Sequence, residues 1–298
     1  MKSVRTGILG LIPLGILLLS GCETSVDYQA NVSSKLTIVS QITPNGWDES
    51  RYVYVYASQS PSDSSQFYTP EHLDVNVTTG DTIVHLLSTI QKGKKIFIFP
   101  GGFLKSGLTY SIEASAPGFQ TVEASTTIPS PSTISDLTIK TISIEQSELN
   151  QFKKNIRYTL QFKINHTEPN HYYHLVFYNS YVGLQNPYLV NPELSDNQPF
   201  IHHYEYGVLL NRSDVRDDQT LIFNFVDWTV EGNDLKRVYV ELRSITEEYY
   251  KYHSSLARQL MVRQDPFAEP VTIFNNIDGG YGNFSGFATS VTSSDLPH

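Results

Sequence analysis

From Lys35 onward the chain is written in short runs that alternate apolar and polar residues, each closed by a turn signal. A period of two puts successive side chains on opposite faces, so such runs fold as strands. Lys35 to Thr43, Arg51 to Ala57, Leu73 to Val77, Thr82 to Leu87, Lys95 to Phe99, Leu108 to Ala114 and Gln120 to Thr127 all fit. Asn45-Gly46, Gly80-Asp81, Pro100-Gly101-Gly102 and Pro117-Gly118 punctuate them. In the second run Val53 and Val55 oppose Tyr52, Tyr54 and Tyr56, so both faces are expected to be covered. About seven short strands without a helix predict an immunoglobulin-like sandwich over residues 35–128. Pro129-Ser130-Pro131 cannot continue a ladder and marks a boundary.

Residues 132–298 repeat the pattern in Ile134 to Ile144, Tyr158 to Ile164, Tyr172 to Tyr178, Leu221 to Phe225 and Val238 to Leu242. One helix is expected, over about residues 245–264. Ser244-Ile245-Thr246-Glu247 fits a capping box with Ser244 as N-cap. Tyr249, Tyr252, Leu256 and Leu260 follow at helical spacing, and Asp265-Pro266 stops the helix. The expected fold is mostly β: two β-sandwich-like domains, the first immunoglobulin-like, with one short helix near the C-terminus.

The first 21 residues are of another kind. Lys2 and Arg5 precede an apolar run from Gly7 to Leu19, and Leu19-Ser20-Gly21-Cys22 follows. A basic start, a short apolar core and small residues make a secretory leader, and the run is too short to span a bilayer. An aliphatic residue, two small residues and cysteine resemble the lipobox of bacterial lipoproteins. The resemblance implies thioether attachment of diacylglycerol to Cys22, cleavage before it and acylation of the new amine. Cys22 is the only cysteine, so no disulfide remains, and the body must be held by its core. Residues 22–34 read as a polar, flexible spacer. Losing Lys2 and Arg5 leaves 19 basic against 30 acidic side chains, a balance that argues against nucleic acid.

No constellation declares a chemistry, cofactor or metal. His171 and His174, near His166 and Glu168, lie three apart, which on a strand sends them to opposite faces. His202-His203 are adjacent and diverge likewise, so these histidines are expected on a polar rim. No Gly-x-Ser-x-Gly elbow occurs. Asp217-Asp218 and Glu247-Glu248 read as solvated charges, and Glu231-Gly232-Asn233-Asp234 as a turn. Asp278-Gly279-Gly280-Tyr281-Gly282 reads as a turn whose glycines take positive φ or let backbones approach. Tyr281, Phe284 and Phe287 beside it are a candidate partner surface.

The C-terminal stretch carries a family signal. It includes Glu248-Tyr249-Tyr250-Lys251-Tyr252, Asp265-Pro266-Phe267-Ala268-Glu269-Pro270, Asn276-Ile277-Asp278-Gly279-Gly280-Tyr281-Gly282 and Phe284-Ser285-Gly286. With Leu36-Thr37-Ile38-Val39, Leu108-Thr109-Tyr110-Ser111-Ile112 and Thr126-Thr127-Ile128-Pro129, it resembles the DUF4249 lipoproteins of Bacteroidota over nearly the whole mature chain. Tyr281 stands where that family more often has an aliphatic residue. The resemblance implies an outer-membrane lipoprotein, on the periplasmic or the outer face, often encoded beside TonB-dependent transporters. The expectation is a lipid-anchored accessory protein that binds. A surface hydrolase of polysaccharide or peptide and an adhesive spacer module are the alternatives. Metabolic labelling with an alkyne palmitate checks the anchor: the native chain is expected to take up label, and Cys22→Ser to lose it and leave the membrane fraction. Unchanged labelling of the variant would exclude Cys22 as the lipid site.

Overall fold

A computed structural model of the chain describes residues 33–44, 51–59, 67–147, 153–167, 169, 171–183, 185–194, 199–216, 218–230, 234–263 and 267–296. The expected leader, Cys22 and most of the expected spacer lie outside the described residues. So do Asn45-Gly46, Glu168, Asp217, Glu231-Gly232-Asn233 and Asp265-Pro266.

The fold is mostly β with several sheets. The strands are β1 (Leu36–Ile42), β2 (Tyr52–Ala57), β3 (Asp74–Thr79), β4 (Thr82–His85), β5 (Leu87–Gln91), β6 (Lys94–Ile98), β7 (Thr109–Ser115) and β8 (Val122–Thr127). They continue as β9 (Thr133–Gln146), β10 (Lys153–Asn165), β11 (Tyr172–Tyr181), β12 (Tyr188–Val190), β13 (Ile201–His202), β14 (Val208–Asn211), β15 (Leu221–Val230) and β16 (Leu235–Ile245). Helix α1 (Glu247–Val262) and strand β17 (Tyr281–Asp295) complete the chain. Ten strands form one sheet in the order β13-β14-β11-β16-β17-β1-β2-β6-β5, with β12 beside β11. A four-stranded sheet (β4-β3-β7-β8) and a three-stranded sheet (β15-β10-β9) complete the architecture.

Two apolar clusters fill the interior. Leu36, Ile38, Val53 and Val55 of the large sheet meet Val75, Val77, Tyr110 and Ile112 of the four-stranded sheet. Tyr173, Leu175, Phe177, Val238 and Val240 of the large sheet meet Tyr158, Leu160, Phe223 and Phe225 of the three-stranded sheet. Burying one such side chain stabilises by about 1.5–3 kcal/mol, so each cluster is a core in its own right. The large sheet contributes one face to both.

Strand β17 joins the two parts of that sheet. Residues 281–286 run parallel to β1, from Thr37↔Tyr281 to Ile42↔Gly286. Residues 287–295 run antiparallel to β16, from Ile245↔Phe287 to Arg237↔Asp295. The sequence hides this strand because it reads Gly-Asn-Phe-Ser-Gly-Phe-Ala-Thr-Ser, without alternation. Its residues 283–288 are buried on both faces, which removes the polar partner that alternation needs. The close backbone approach expected of the glycines is realised at Gly282. It has φ +114°, and a Cβ there would stand 1.9 Å from the Ile38 carbonyl oxygen.

The helix begins two residues later than the capping box suggests. The Thr246 hydroxyl accepts from Tyr249 N at 3.3 Å and is the N-cap. Ser244 is still in β16, fully buried, and its hydroxyl accepts from Ser132 N at 2.9 Å. Glu247 turns outward to Lys251 at 2.8 Å instead of reaching back. The buried stripe is Tyr249, His253, Ser254 and Ala257, not Tyr249, Tyr252, Leu256 and Leu260. Leu260 is exposed.

The weld at Gly282 is testable. Gly282→Ala is expected to cost about 3 kcal/mol or more, since strained φ and a backbone clash combine. Gly80→Ala, at φ +54° with nothing within 4 Å of the added carbon, is expected to cost about 1 kcal/mol. Urea unfolding of both variants checks the difference; equal losses would contradict the close approach.

Candidate functional site

Alternation along the strands of the large sheet sends one set of side chains into the cores and the other to the opposite face. On β11 the outward set is His174, Val176 and Tyr178; on β16 it is Tyr239, Glu241 and Arg243. Register places His174 beside Arg243, Val176 beside Glu241 and Tyr178 beside Tyr239. Thr289 and Val291 of β17 follow across from Arg243 and Glu241. Val39 and Gln41 of β1, then Tyr52 and Tyr54 of β2, extend the row. All of these but Tyr239 floor an open cleft of about 1120 Å³, walled by Tyr249 and His253 of α1 and by residues 203–206.

The ionised groups on this floor are already matched. Arg243 Nε donates to Glu241 Oε1 at 2.8 Å, and Tyr178 donates to Glu241 Oε2 at 2.7 Å. Arg243 also donates to the Tyr249 hydroxyl and lies 5.3 Å from the centre of the Phe287 ring. Burial pushes the Glu241 carboxyl up, but Arg243 and the hydrogen bonds it receives hold it below the usual carboxylate range. Burial also opposes the charge on Arg243, and the neighbouring Tyr249 and Glu241 more than offset that. Removing one partner of such a half-buried pair leaves the other charge uncompensated.

Beside this pair stands a group of buried imidazoles. His174, His203 and His253 are 2%, 8% and 1% exposed. His174 Nε2 donates to the Tyr206 carbonyl at 2.9 Å, so its Nδ1 accepts from the Tyr249 hydroxyl at 3.0 Å. Glu205 N donates to His203 Nδ1 at 3.2 Å, leaving Nε2 of His203 to donate to His253 Nδ1 at 3.0 Å. His253 Nε2 then carries a proton toward the Gln41 carboxamide, 2.7 Å away at its nitrogen position. Two neutral rings in series need an acceptor at one end, so Gln41 presents its oxygen. Burial first, then Arg243 and the neighbouring ring, hold His174 far below the ordinary histidine value. Burial, then His203 and Arg243, do the same to His253. Burial and Arg243 lower His203 to about 4. The polar-rim expectation therefore fails for His174 and His203, because loop and helix close over that end of the sheet. His171 is exposed and His202 faces away from His203, as alternation requires. Among the described residues no three His, Cys, Asp or Glu are arranged to hold a metal.

Tyr281, Phe284 and Phe287 do not form the single exposed surface expected of them. Tyr281 is exposed, with the Lys35 ammonium 5.3 Å from its ring centre. Phe284 is fully buried in the first core. Phe287 packs under α1, 5.9 Å from Tyr249. Strand parity sends residues 284 and 287 to opposite faces, and both faces are covered there. Sequence reasoning passed over Tyr178, Glu241, Arg243 and His253. The signal for two of them was present: Glu241 and Arg243 interrupt an apolar run two residues apart, which marks a paired charge on one strand face. A second polar network lies inside the other core. The Asp227 carboxylate accepts from Asn179 at 2.5 Å, from Tyr188 at 3.2 Å and from Tyr181. Trp228 N closes it at 2.7 Å. It does not reach the cleft.

The three depressed histidines set a pH dependence with a definite sign. The unfolded rings titrate near 6.5 and the folded rings well below, so on acidification the unfolded chain binds protons first. Stability is therefore fully present above pH 6.5 and falls as pH drops toward the folded values, about 4 for His203. Each ring contributes a slope of about 1.4 kcal/mol per pH unit in that window. Urea unfolding at pH 7.5, 6.0 and 5.0 is expected to show the decline, with His253→Gln reducing the slope by about a third. Equal slopes in variant and native chain would contradict the burial of that ring as neutral imidazole.

Comparison with known proteins adds the lineage. A search of the curated proteins returns no match. The family model described as a domain of unknown function, DUF4249, matches residues 23–293. The chain thus belongs to the DUF4249 family.

Proposed function

We propose that this chain is an exported, lipid-anchored binding protein of the outer membrane. It acts as an accessory to a TonB-dependent transporter or a similar barrel and holds a ligand in the cleft on the open sheet face. One observation carries this reading: the large sheet gives one face to both cores and keeps the other as a walled, polar and aromatic cleft. Its Arg243–Glu241 pair is saturated from within, and its imidazoles are held neutral by burial and directed hydrogen bonds. Such a floor is preorganised to hold a ligand, since its charged pair and imidazoles need no rearrangement to stay satisfied. The leader and Cys22 support the tether. Confinement to one surface raises the effective concentration of the body near a membrane partner, to about the millimolar range for a short linker.

Affinity recovery of the tagged full chain from detergent-solubilised envelopes checks the partnership. Co-recovery of an outer-membrane barrel protein is expected, and its reduction when Cys22→Ser frees the body. Recovery of the chain with no barrel protein would contradict the accessory role.

A further inference from the structure

Resting on the cleft as the binding site, we infer that its ligand is a neutral oligosaccharide. Charge is the first discriminator. Arg243 is committed to Glu241, Tyr178 and Tyr249, and the remaining charged residues of the cleft, Lys92 and Glu205, are of opposite sign, so the lining carries no net charge. An anionic or cationic ligand would meet a lining without net counter-charge to offset its desolvation.

Backbone accessibility is the second. An extended peptide binds a sheet through main-chain bonds to an open edge. Floor strand β11 is flanked by β14 and β12 on one side and by β16 on the other, and β16 lies between β11 and β17, so the ladders of these two strands are occupied. Over β11 and β16 the floor presents side chains only.

Those side chains suit a sugar. Tyr52, Tyr54, Tyr178 and Tyr204 offer ring faces, on which the C–H face of a pyranose lies favourably against the negative π-cloud. Gln41, Gln91 and Thr43 stand among them and suit hydroxyl groups, which both donate and accept. The Thr43 hydroxyl is buried, lines the cleft and has no hydrogen-bond partner among the described residues. A cleft of about 1120 Å³ exceeds the range of about 300–1,000 Å³ that encloses a single small molecule, so several sugar units are accommodated.

The test is calorimetric titration of the detergent-solubilised full chain with maltoheptaose, cellohexaose, xylohexaose and mannohexaose. Oligogalacturonate and a mixed-sequence decapeptide serve as contrasts. Two variants accompany the native chain: Tyr54→Ala removes one ring face, and Val291→Trp fills the cleft from an exposed position. Circular dichroism confirms that both fold. The expected result is binding of at least one neutral oligosaccharide, changed less than about twofold between low and high salt. Tyr54→Ala should weaken it about tenfold, and Val291→Trp should abolish it. Binding of the decapeptide or the acidic oligomer alone, blocked by Val291→Trp, would overturn the ligand class and leave the cleft as the site. Neutral sugar binding unchanged in both variants would overturn the cleft itself. Absence of binding by all four neutral oligosaccharides would overturn the inference.

Discussion

The ladder that β17 makes on both its edges is the constraint on which the rest of the structure depends. One strand runs parallel to β1 over its first six residues and antiparallel to β16 over the remainder. It therefore couples the first strand of the body to the last strand before the helix. Phe284 and Ala288 enter the first core from this strand, so the C-terminal segment completes an interior begun some 240 residues earlier. At Gly282 the backbone comes closer to Ile38 than a side chain would permit.

From that ladder the cleft follows. Tyr52, Tyr54 and Gln41 belong to one end of the large sheet, while His174, Tyr178 and Arg243 belong to the other. They share one face only because β17 keeps the two sets of strands in register. Gln41 and His253 illustrate the result: they are 212 positions apart in sequence and meet at 2.7 Å. The helix and the 203–206 segment then close over the imidazole end and leave the tyrosine end open. Burial at the closed end explains the neutral histidines, and pairing explains why Arg243 and Glu241 tolerate the same environment.

Most of the strands were legible because one side of each meets a core. Alternation at Val53, Val55, Leu160, Phe162, Val238 and Val240 reported that burial directly. Strand ends were not legible, because ladder bonds continue where alternation stops: Lys153-Lys154-Asn155 pair along β10 with no apolar signal. Strand β17 was missed for the opposite reason, since residues covered on both faces lose their period. The helix was found but rotated. A stripe of Tyr249, His253, Ser254 and Ala257 reads as mixed polarity in sequence and is recognisable only against the sheet it covers. The cleft was invisible because it depends on register between strands far apart in the chain. Tyr52 and Tyr54, expected to be covered, are half-buried on the open face.

Two cores that share one sheet and one joining strand should lose structure together. Scanning calorimetry of the full chain tests this directly. The account predicts a single endotherm, with a calorimetric enthalpy equal to the van't Hoff enthalpy. Two resolved transitions, one for each core, would contradict the claim that β17 makes the body and its cleft one cooperative unit.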